Sequence, residues 1–349
     1  MIKHLKTRVL NAILQFAYRT SAKLDTPPLR EHRMQCALDI LNAPENGDKK
    51  HEPRDILAER LLELAATEGG ADFFGTLSSL AAQQGLYLSR IHPDSTAAPA
   101  DVAHMMENVL RPHHRSVYWG DRLCTLDKAM AFLDAPRFAA LFAELNGRHQ
   151  YDQYNGPQGI AWRFAVLAWA ARRALHIPGD FVECGVFQGD MSYFLVSLLN
   201  FSQTGKQFYL YDSFDGFDFS QTSQDDYPMN DGFLNFAHTV YQEKSVYENV
   251  VERFAPWENV RVIKGYLPGT LDGHAPDSIA YLHIDLNAPK PEIGVLERLF
   301  PRMSPGGVIV FDDYGWREFI RQREAEDAFM RERGYEILEL PTGQGLVVL

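Results

Sequence analysis

Three carboxylates close two apolar runs: Asp285 ends Ile-Ala-Tyr-Leu-His-Ile-Asp at 279–285, and the pair Asp312-Asp313 ends Gly-Val-Ile-Val-Phe-Asp-Asp at 307–313. Carboxylates that converge repel one another unless a cation lies between them, and an all-oxygen set suits a hard ion such as Mg²⁺, Mn²⁺ or Ca²⁺. Such an ion could hold two substrate oxygens and lower the pKa of a hydroxyl, readying it as a nucleophile. Each acid also has a simpler reading: Asp313 could cap a helix, and Asp285 could bind an amine of a cofactor directly.

A second constellation is Glu183-Cys-Gly185-Val-Phe-Gln-Gly189-Asp-Met-Ser192, where a strand-like run passes straight into a helix. Gly185 and Gly189 would let the backbone approach a ligand, and the helix N-terminus offers free N–H groups to a carboxylate. The spacing is GxxxG and not GxGxxG, which favours a ligand without a pyrophosphate, although a glycine pair is also what a tight connection needs. Asp212 ends the run Phe-Tyr-Leu-Tyr-Asp at 208–212 and is followed by Ser213. An acid there could accept hydrogen bonds from both hydroxyls of an adenosine ribose, or Asp212 or Ser213 could cap a helix. Tyr266, after Val-Arg-Val-Ile-Lys-Gly at 260–265, could border an adenine or be a half-buried aromatic. His238 is a candidate general base within the long polar insertion 218–257, the best lid candidate, against the alternative of a solvated loop histidine. The segment 149–155 could close the pocket from the other side, and His283 reads as packed within its strand.

The elements that must position these residues follow from periodicity. From Phe181 onward short apolar runs alternate with helical stretches ending near Leu199, Phe300 and Arg333, a βαβ series. Near-continuous apolar strands separated by helices imply a parallel sheet covered on both faces, and ligands bind outside the carboxyl ends of such strands. The chain finishes with Tyr-Glu-Ile-Leu-Glu-Leu and Gly-Leu-Val-Val-Leu around a turn at 341–345, an antiparallel hairpin. The expectation is an α/β, Rossmann-like, doubly wound seven-stranded sheet with that hairpin at its end, occupying 151–349. Residues 1–150 read as a helical N-terminal region for a lid, oligomerisation or recognition. Linker candidates lie at 46–53 and 95–100, and an amphipathic basic segment at 1–24 is suited to docking on the protein body or a partner subunit, with an anionic membrane surface or a transit-peptide role as the alternative.

A chain of 349 residues with 46% hydrophobic and 23% charged residues belongs to a globular protein with room for more than one domain. The formal net charge of -12 excludes a surface built to neutralise phosphates, so nucleic acid is not expected as a partner. No apolar run is long enough for a transmembrane span. Cys36, Cys124 and Cys184 are too few and too scattered for a disulfide framework, which fits a reducing, cytoplasmic setting.

Taken in order, FVECGVFQGDMS, LYDSFDGF, VIKGYLPGTL, HIDLN and LFPRMSPGGVIVFDDYG resemble the macrocin O-methyltransferase family, over about half the chain from Trp162 to the C-terminus. The resemblance implies a class I methyltransferase fold binding S-adenosyl-L-methionine through Glu183, Gly185, Gly189, Ser192 and Asp212, with Ser213 and Tyr266 beside them. It also implies that Asp285, Asp312 and Asp313 hold Mg²⁺, or another divalent cation, next to the hydroxyl of a sugar or other small-molecule acceptor. By their positions in the chain, Asp285 and His238 are the catalytic candidates. A homo-oligomer is expected. The family usually carries Gly-Asp-Leu-Tyr-Glu-Ser-Thr after the strand-end Asp, whereas Leu286-Asn287-Ala-Pro-Lys-Pro-Glu292 follows here. One acid has become Asn287, which touches both metal dependence and the choice of base. Rival readings are N-methylation or metal-independent methylation of another acceptor, an NAD-dependent oxidoreductase on the same sheet, and a non-catalytic scaffold.

Overall fold

The computed structural model describes residues 114–149, 158–228, 234 and 246–349. His238, both linker candidates, the basic segment at 1–24 and most of 149–155 lie outside the described residues. The chain divides into two compact units, Met1–Ala129 with Tyr151–Gly159, and Met130–Gln150 with Ile160–Leu349.

In the first unit, β1 (Val117–Gly120) and β2 (Leu123–Leu126) pair antiparallel, Val117 opposite Leu126. Asp121 and Arg122 connect them with φ of 53° and 56°, the two left-handed residues of a tight hairpin turn. Over 117–126 the helical expectation therefore gives way to strands. Neither left-handed position is a glycine, so the usual hairpin signal is missing from the sequence.

The second unit carries a seven-stranded sheet. Its strands are β3 (Asp180–Cys184), β4 (Phe208–Asp212), β5 (Val260–Lys264), β6 (Ile279–Ile284), β7 (Met303–Phe311), β8 (Leu338–Glu339) and β9 (Gly345–Val348). The order is β5-β4-β3-β6-β7-β9-β8, parallel from β5 to β7 and antiparallel through β9 and β8. This is the class I methyltransferase arrangement, and the strands expected from the apolar runs fall where those runs are. Between β3 and β6 the chain order reverses direction across the sheet, which opens the crevice where α/β sheets bind ligands.

The helices of this unit are α1 (Ala131–Asp134), α2 (Pro136–His149), α3 (Ala161–Ala174), α4 (Asp190–Leu199), α5 (Val246–Phe254), α6 (Pro289–Leu299) and α7 (Ile320–Glu332). Residues 131–149 thus group with the sheet, ahead of the expected boundary at 150. Helix α3 forms readily because it is alanine-rich, and Arg172 and Arg173 in its last turn complement the helix dipole. It buries Phe164, Leu167 and Ala171, and also Arg163, one position from Phe164 on the sheet-facing side.

Each strand sorts its side chains to two faces. Val182, Cys184, Ile284 and Phe311 join Val295 and Leu299 of α6 and Phe329 and Met330 of α7 in one core. On the opposite face Phe181 meets Phe201, Phe208 and Tyr281, while Phe164 of α3 packs edge-on against Phe194 of α4. Burying each such aromatic or aliphatic side chain contributes roughly 1.5–3 kcal/mol.

Candidate active site

The loop after β3 is built around one carboxylate. Asp212 Oδ2 accepts from the backbone N–H groups of Val186 and Phe187 at 2.7 and 2.8 Å, and Oδ1 accepts from Phe214 N–H at 2.7 Å. The acid at the end of β4 thereby fixes the turn at the end of β3. An adenosine ribose would have to share oxygens that already hold backbone. Gly185 (φ 92°) and Gly189 (φ 79°) both need the left-handed region. A Cβ on Gly185 would lie 1.8 Å from the Asp285 carbonyl oxygen, and one on Gly189 would lie 2.7 Å from the Phe254 ring. Close packing within the chain thus accounts for both glycines. Arg253 of α5 ties the loop from outside, donating to Asp190 Oδ1 at 2.5 Å and to the Gln188 carbonyl at 2.8 Å.

Ser213 and Tyr266 frame the neighbouring turn. Ser213 Oγ donates to the Gly216 carbonyl and accepts from Asp215 N–H, closing a short polar turn. Tyr266, 42% exposed, directs its hydroxyl to Asp215 Oδ2 at 3.4 Å. Its ring is the accessible aromatic at this edge.

Beneath the crevice runs a buried polar row on three adjacent strands. Glu183 pairs in register with His283, and His283 with Val310, so Asp312, two residues on and just past the end of β7, shares their face. His283 Nδ1 lies 2.8 Å from Glu183 Oε1, and Nε2 lies 3.6 Å from Asp312 Oδ1. Burial works against a charged imidazole, but the two carboxylates outweigh it and push His283 up to about 10. Ser192 Oγ donates to Glu183 Oε2, and both residues are buried. Glu183 and Ser192, expected to touch the cofactor, act in this conformation as the floor under its loop. His283 is packed in the sheet, as its position suggested, between Glu183 and Asp312.

The three acids do converge. Ligand oxygens from Asp285, Asp312 and Asp313 all lie within 4.8 Å of one another. Oxygen–metal bonds of about 2.0–2.6 Å nearly span that spread, so the donor set fits a hard divalent cation. Burial, together with the charges of Asp312 and Asp313, pushes the Asp285 carboxyl well above the usual range. Burial pushes Asp312 the same way, but the Arg163 guanidinium and His283 reverse this and hold it below that range. Arg163 Nη1 donates to Asp312 Oδ2 at 2.5 Å and to Asp313 Oδ1 at 2.9 Å, and Gln344 Nε2 donates to Asp312 Oδ1 at 2.9 Å.

The loop after Asp285 is held by hydrogen bonds from Tyr227 and to Glu292 and Asp285. Asn287 has φ 56°; its N–H and that of Leu286 donate to Glu292 Oε1 at 3.1 Å, and its carbonyl accepts from Tyr227 Oη at 2.5 Å. Its Nδ2 donates to Asp285 Oδ1 at 2.9 Å, leaving Oδ1 of Asn287 buried with no hydrogen-bond partner. Glu292 is fully buried near Glu326; burial and the Glu326 charge push its carboxyl well above the usual range, and burial raises Glu326 itself to about 7.

With this geometry in place the comparisons are decisive for the family. Residues 164–337 match the family model described as Macrocin-O-methyltransferase (TylF). The domain over those residues belongs to the macrocin O-methyltransferase family. Members of that family are S-adenosylmethionine-dependent methyltransferases. Among relatives of this domain, 8-demethyl-8-(2,3-dimethoxy-alpha-L-rhamnosyl)-tetracenomycin-C 4'-O-methyltransferase of Streptomyces olivaceus is 29% identical over 143 residues, 40% of this chain and 54% of that protein. Mycinamicin III 3''-O-methyltransferase of Micromonospora griseorubida is 29% identical over 147 residues, 40% of this chain and 56% of that protein. The chain spans little more than half the length of these relatives. The solved structure of the O-methyltransferase NovP aligns with 22% identity and a TM-score of 0.45 over 53% of this chain and 78% of that one.

Sequence reasoning missed Arg163, Tyr227 and the Glu292–Glu326 pair. Arg163 sits in an alanine-rich helix far along the chain from the acids it bridges. Only the sheet-facing position of an arginine beside Phe164 and Leu167 could have marked it.

Proposed function

We propose that the chain transfers a methyl group from S-adenosylmethionine to a hydroxyl of a small molecule, most specifically a sugar hydroxyl of a glycosylated natural product, with Mg²⁺ or a similar cation at Asp285, Asp312 and Asp313. The observation that carries this reading is contact between the two halves of the crevice: Gly185 of the cofactor loop has no room for a Cβ because the Asp285 backbone presses on it. A methyl donor on the loop and a hydroxyl at the acids would thus be neighbours. The relatives named above for O-methylation, one at a rhamnosyl-bearing tetracenomycin, support the choice of acceptor.

The chain's own residues divide the task. Asp212 holds the Val186 and Phe187 amides in place, so the loop needs little rearrangement to receive the cofactor. Asp285 Oδ2, unlike Oδ1, makes no hydrogen bond among the described residues and is the oxygen open to the acceptor's proton. In the transfer the acceptor O–H gives its proton to Asp285, the new O–CH₃ bond forms, and the sulfonium C–S bond breaks to leave S-adenosylhomocysteine. A bound divalent cation would supply a lowered hydroxyl pKa and hold Asp285 ionised, ready to accept that proton.

The test is incubation of the full chain with methyl-labelled S-adenosylmethionine and a panel of rhamnosylated and other polyhydroxylated acceptors, with Mg²⁺ or with chelator. Label in an ether-linked methyl of a sugar, lost on chelation, is expected. Label on nitrogen, or transfer indifferent to chelator, contradicts the acceptor or the cation respectively.

A further inference from the structure

The acidic cluster already contains a cation. Arg163 leaves α3 as a buried side chain, 10% exposed, and one of its nitrogens bridges Asp312 and Asp313. Its guanidinium lies 5.3 Å from the centre of the Trp316 ring. That ring is itself fixed: it packs so closely on Gly343 that a Cβ there would sit 2.2 Å from the indole Nε1. Arg163 is therefore held between an aromatic wall and two carboxylates, with a single nitrogen serving both acids.

The three acids are not equivalent. Asp312 has both oxygens engaged, Oδ2 by Arg163 and Oδ1 by Gln344 with His283 nearby. Asp313 gives Oδ1 to Arg163, while among the described residues Asp285 receives only the Asn287 amide on its side chain, at Oδ1. An arriving ion meets an open oxygen on Asp285, whereas at Asp312 Oδ2 it competes with the Arg163 guanidinium.

We infer that Arg163 is the resident counter-ion of this cluster, a positioning residue that holds Asp312 and Asp313 in place before a divalent cation binds and yields at least one of them when it does. Its presence keeps the metal-free site folded and weakens metal affinity, since one cation is exchanged for another. The inference rests on the cation reading above, yet its consequences differ from those of that reading.

The experiment is calorimetric titration of the full chain with Mn²⁺ alone, together with thermal unfolding in chelator, for wild type, Arg163→Gln and Arg163→Lys; S-adenosylhomocysteine binding serves as a check on the fold. Arg163→Gln should bind Mn²⁺ about 10-fold more tightly, the effect of removing one charge at short range in a partly screened site. It should also unfold several degrees lower in chelator (on the order of 5 °C) and recover with Mn²⁺. Arg163→Lys, which keeps the charge but not the fork, should fall between and provides the same reading if the glutamine variant does not fold. Unchanged or weaker Mn²⁺ binding in both variants overturns the inference. If no chain binds Mn²⁺ while all bind S-adenosylhomocysteine, the inference and the cation assignment fall together and the methyltransferase assignment stands. No binding of S-adenosylhomocysteine by folded wild type strikes the function reading alone.

Discussion

The two sides of the crevice are built on opposite principles. On the β3–β4 side a single carboxylate, Asp212, faces three backbone amides, and its charge is absorbed by hydrogen bonds. On the β6–β7 side three carboxylates crowd within 4.8 Å, with Arg163 bridging two of them and His283 lying 3.6 Å from Asp312 Oδ1. The first side is preorganised without help. The second has its full complement only when a further cation or proton arrives, and the upward pressure on the Asp285 pKa expresses that shortfall.

This contrast is broken most severely at the acids. Converting Asp312 and Asp313 to Asn should lower turnover by about 10³-fold or more, roughly 4 kcal/mol of transition-state stabilisation. Initial-rate assays check this. Turnover within 10-fold of wild type would mean that the acidic side does no chemistry.

Gly185→Ala attacks the seam between the two sides. Its Cβ would meet the Asp285 backbone at 1.8 Å from a residue already at φ 92°, a clash that no side-chain movement relieves. A loss of about 3 kcal/mol or more in unfolding free energy is expected from denaturant titration. A loss below about 1 kcal/mol would show that the seam is looser than the packing implies.

The smallest effect sharpens the comparison by moving behind the acids. Glu326 is raised from 4.5 to about 7 in the folded chain, so the folded state binds the extra proton between those values and stability falls as pH rises through that window. Glu326→Gln removes this dependence and should recover about 2 kcal/mol at pH 8 relative to pH 5. Parallel pH profiles of wild type and variant would contradict the raised Glu326 carboxyl.

The frame of this site was legible in the sequence because parallel strands are apolar throughout and their polar ends stand out; Asp212, Asp285, Asp312 and Asp313 were found that way, as was the closing hairpin. What was not legible depends on contacts between distant elements. Gly185 and Gly189 looked like room for a ligand and are instead room for Asp285 and Phe254. Glu183 and Ser192 looked like ligand contacts and form a buried floor with His283. Asn287 looked like a lost acid, and its role as the amide partner of Asp285 emerges only from the turn that Tyr227 and Glu292 impose. The β1–β2 hairpin was hidden because neither of its left-handed positions, Asp121 and Arg122, is a glycine.

The central claim is that the preorganised side binds the methyl donor independently of the charged side. Calorimetric titration of S-adenosylhomocysteine into the full chain and into the Asp312→Asn, Asp313→Asn double variant tests it most directly. The account predicts near-micromolar binding, about -8 kcal/mol, in both proteins, with affinities within about threefold. Absence of binding to folded wild type would contradict the claim outright, and binding by wild type alone would show that the two sides are not separable.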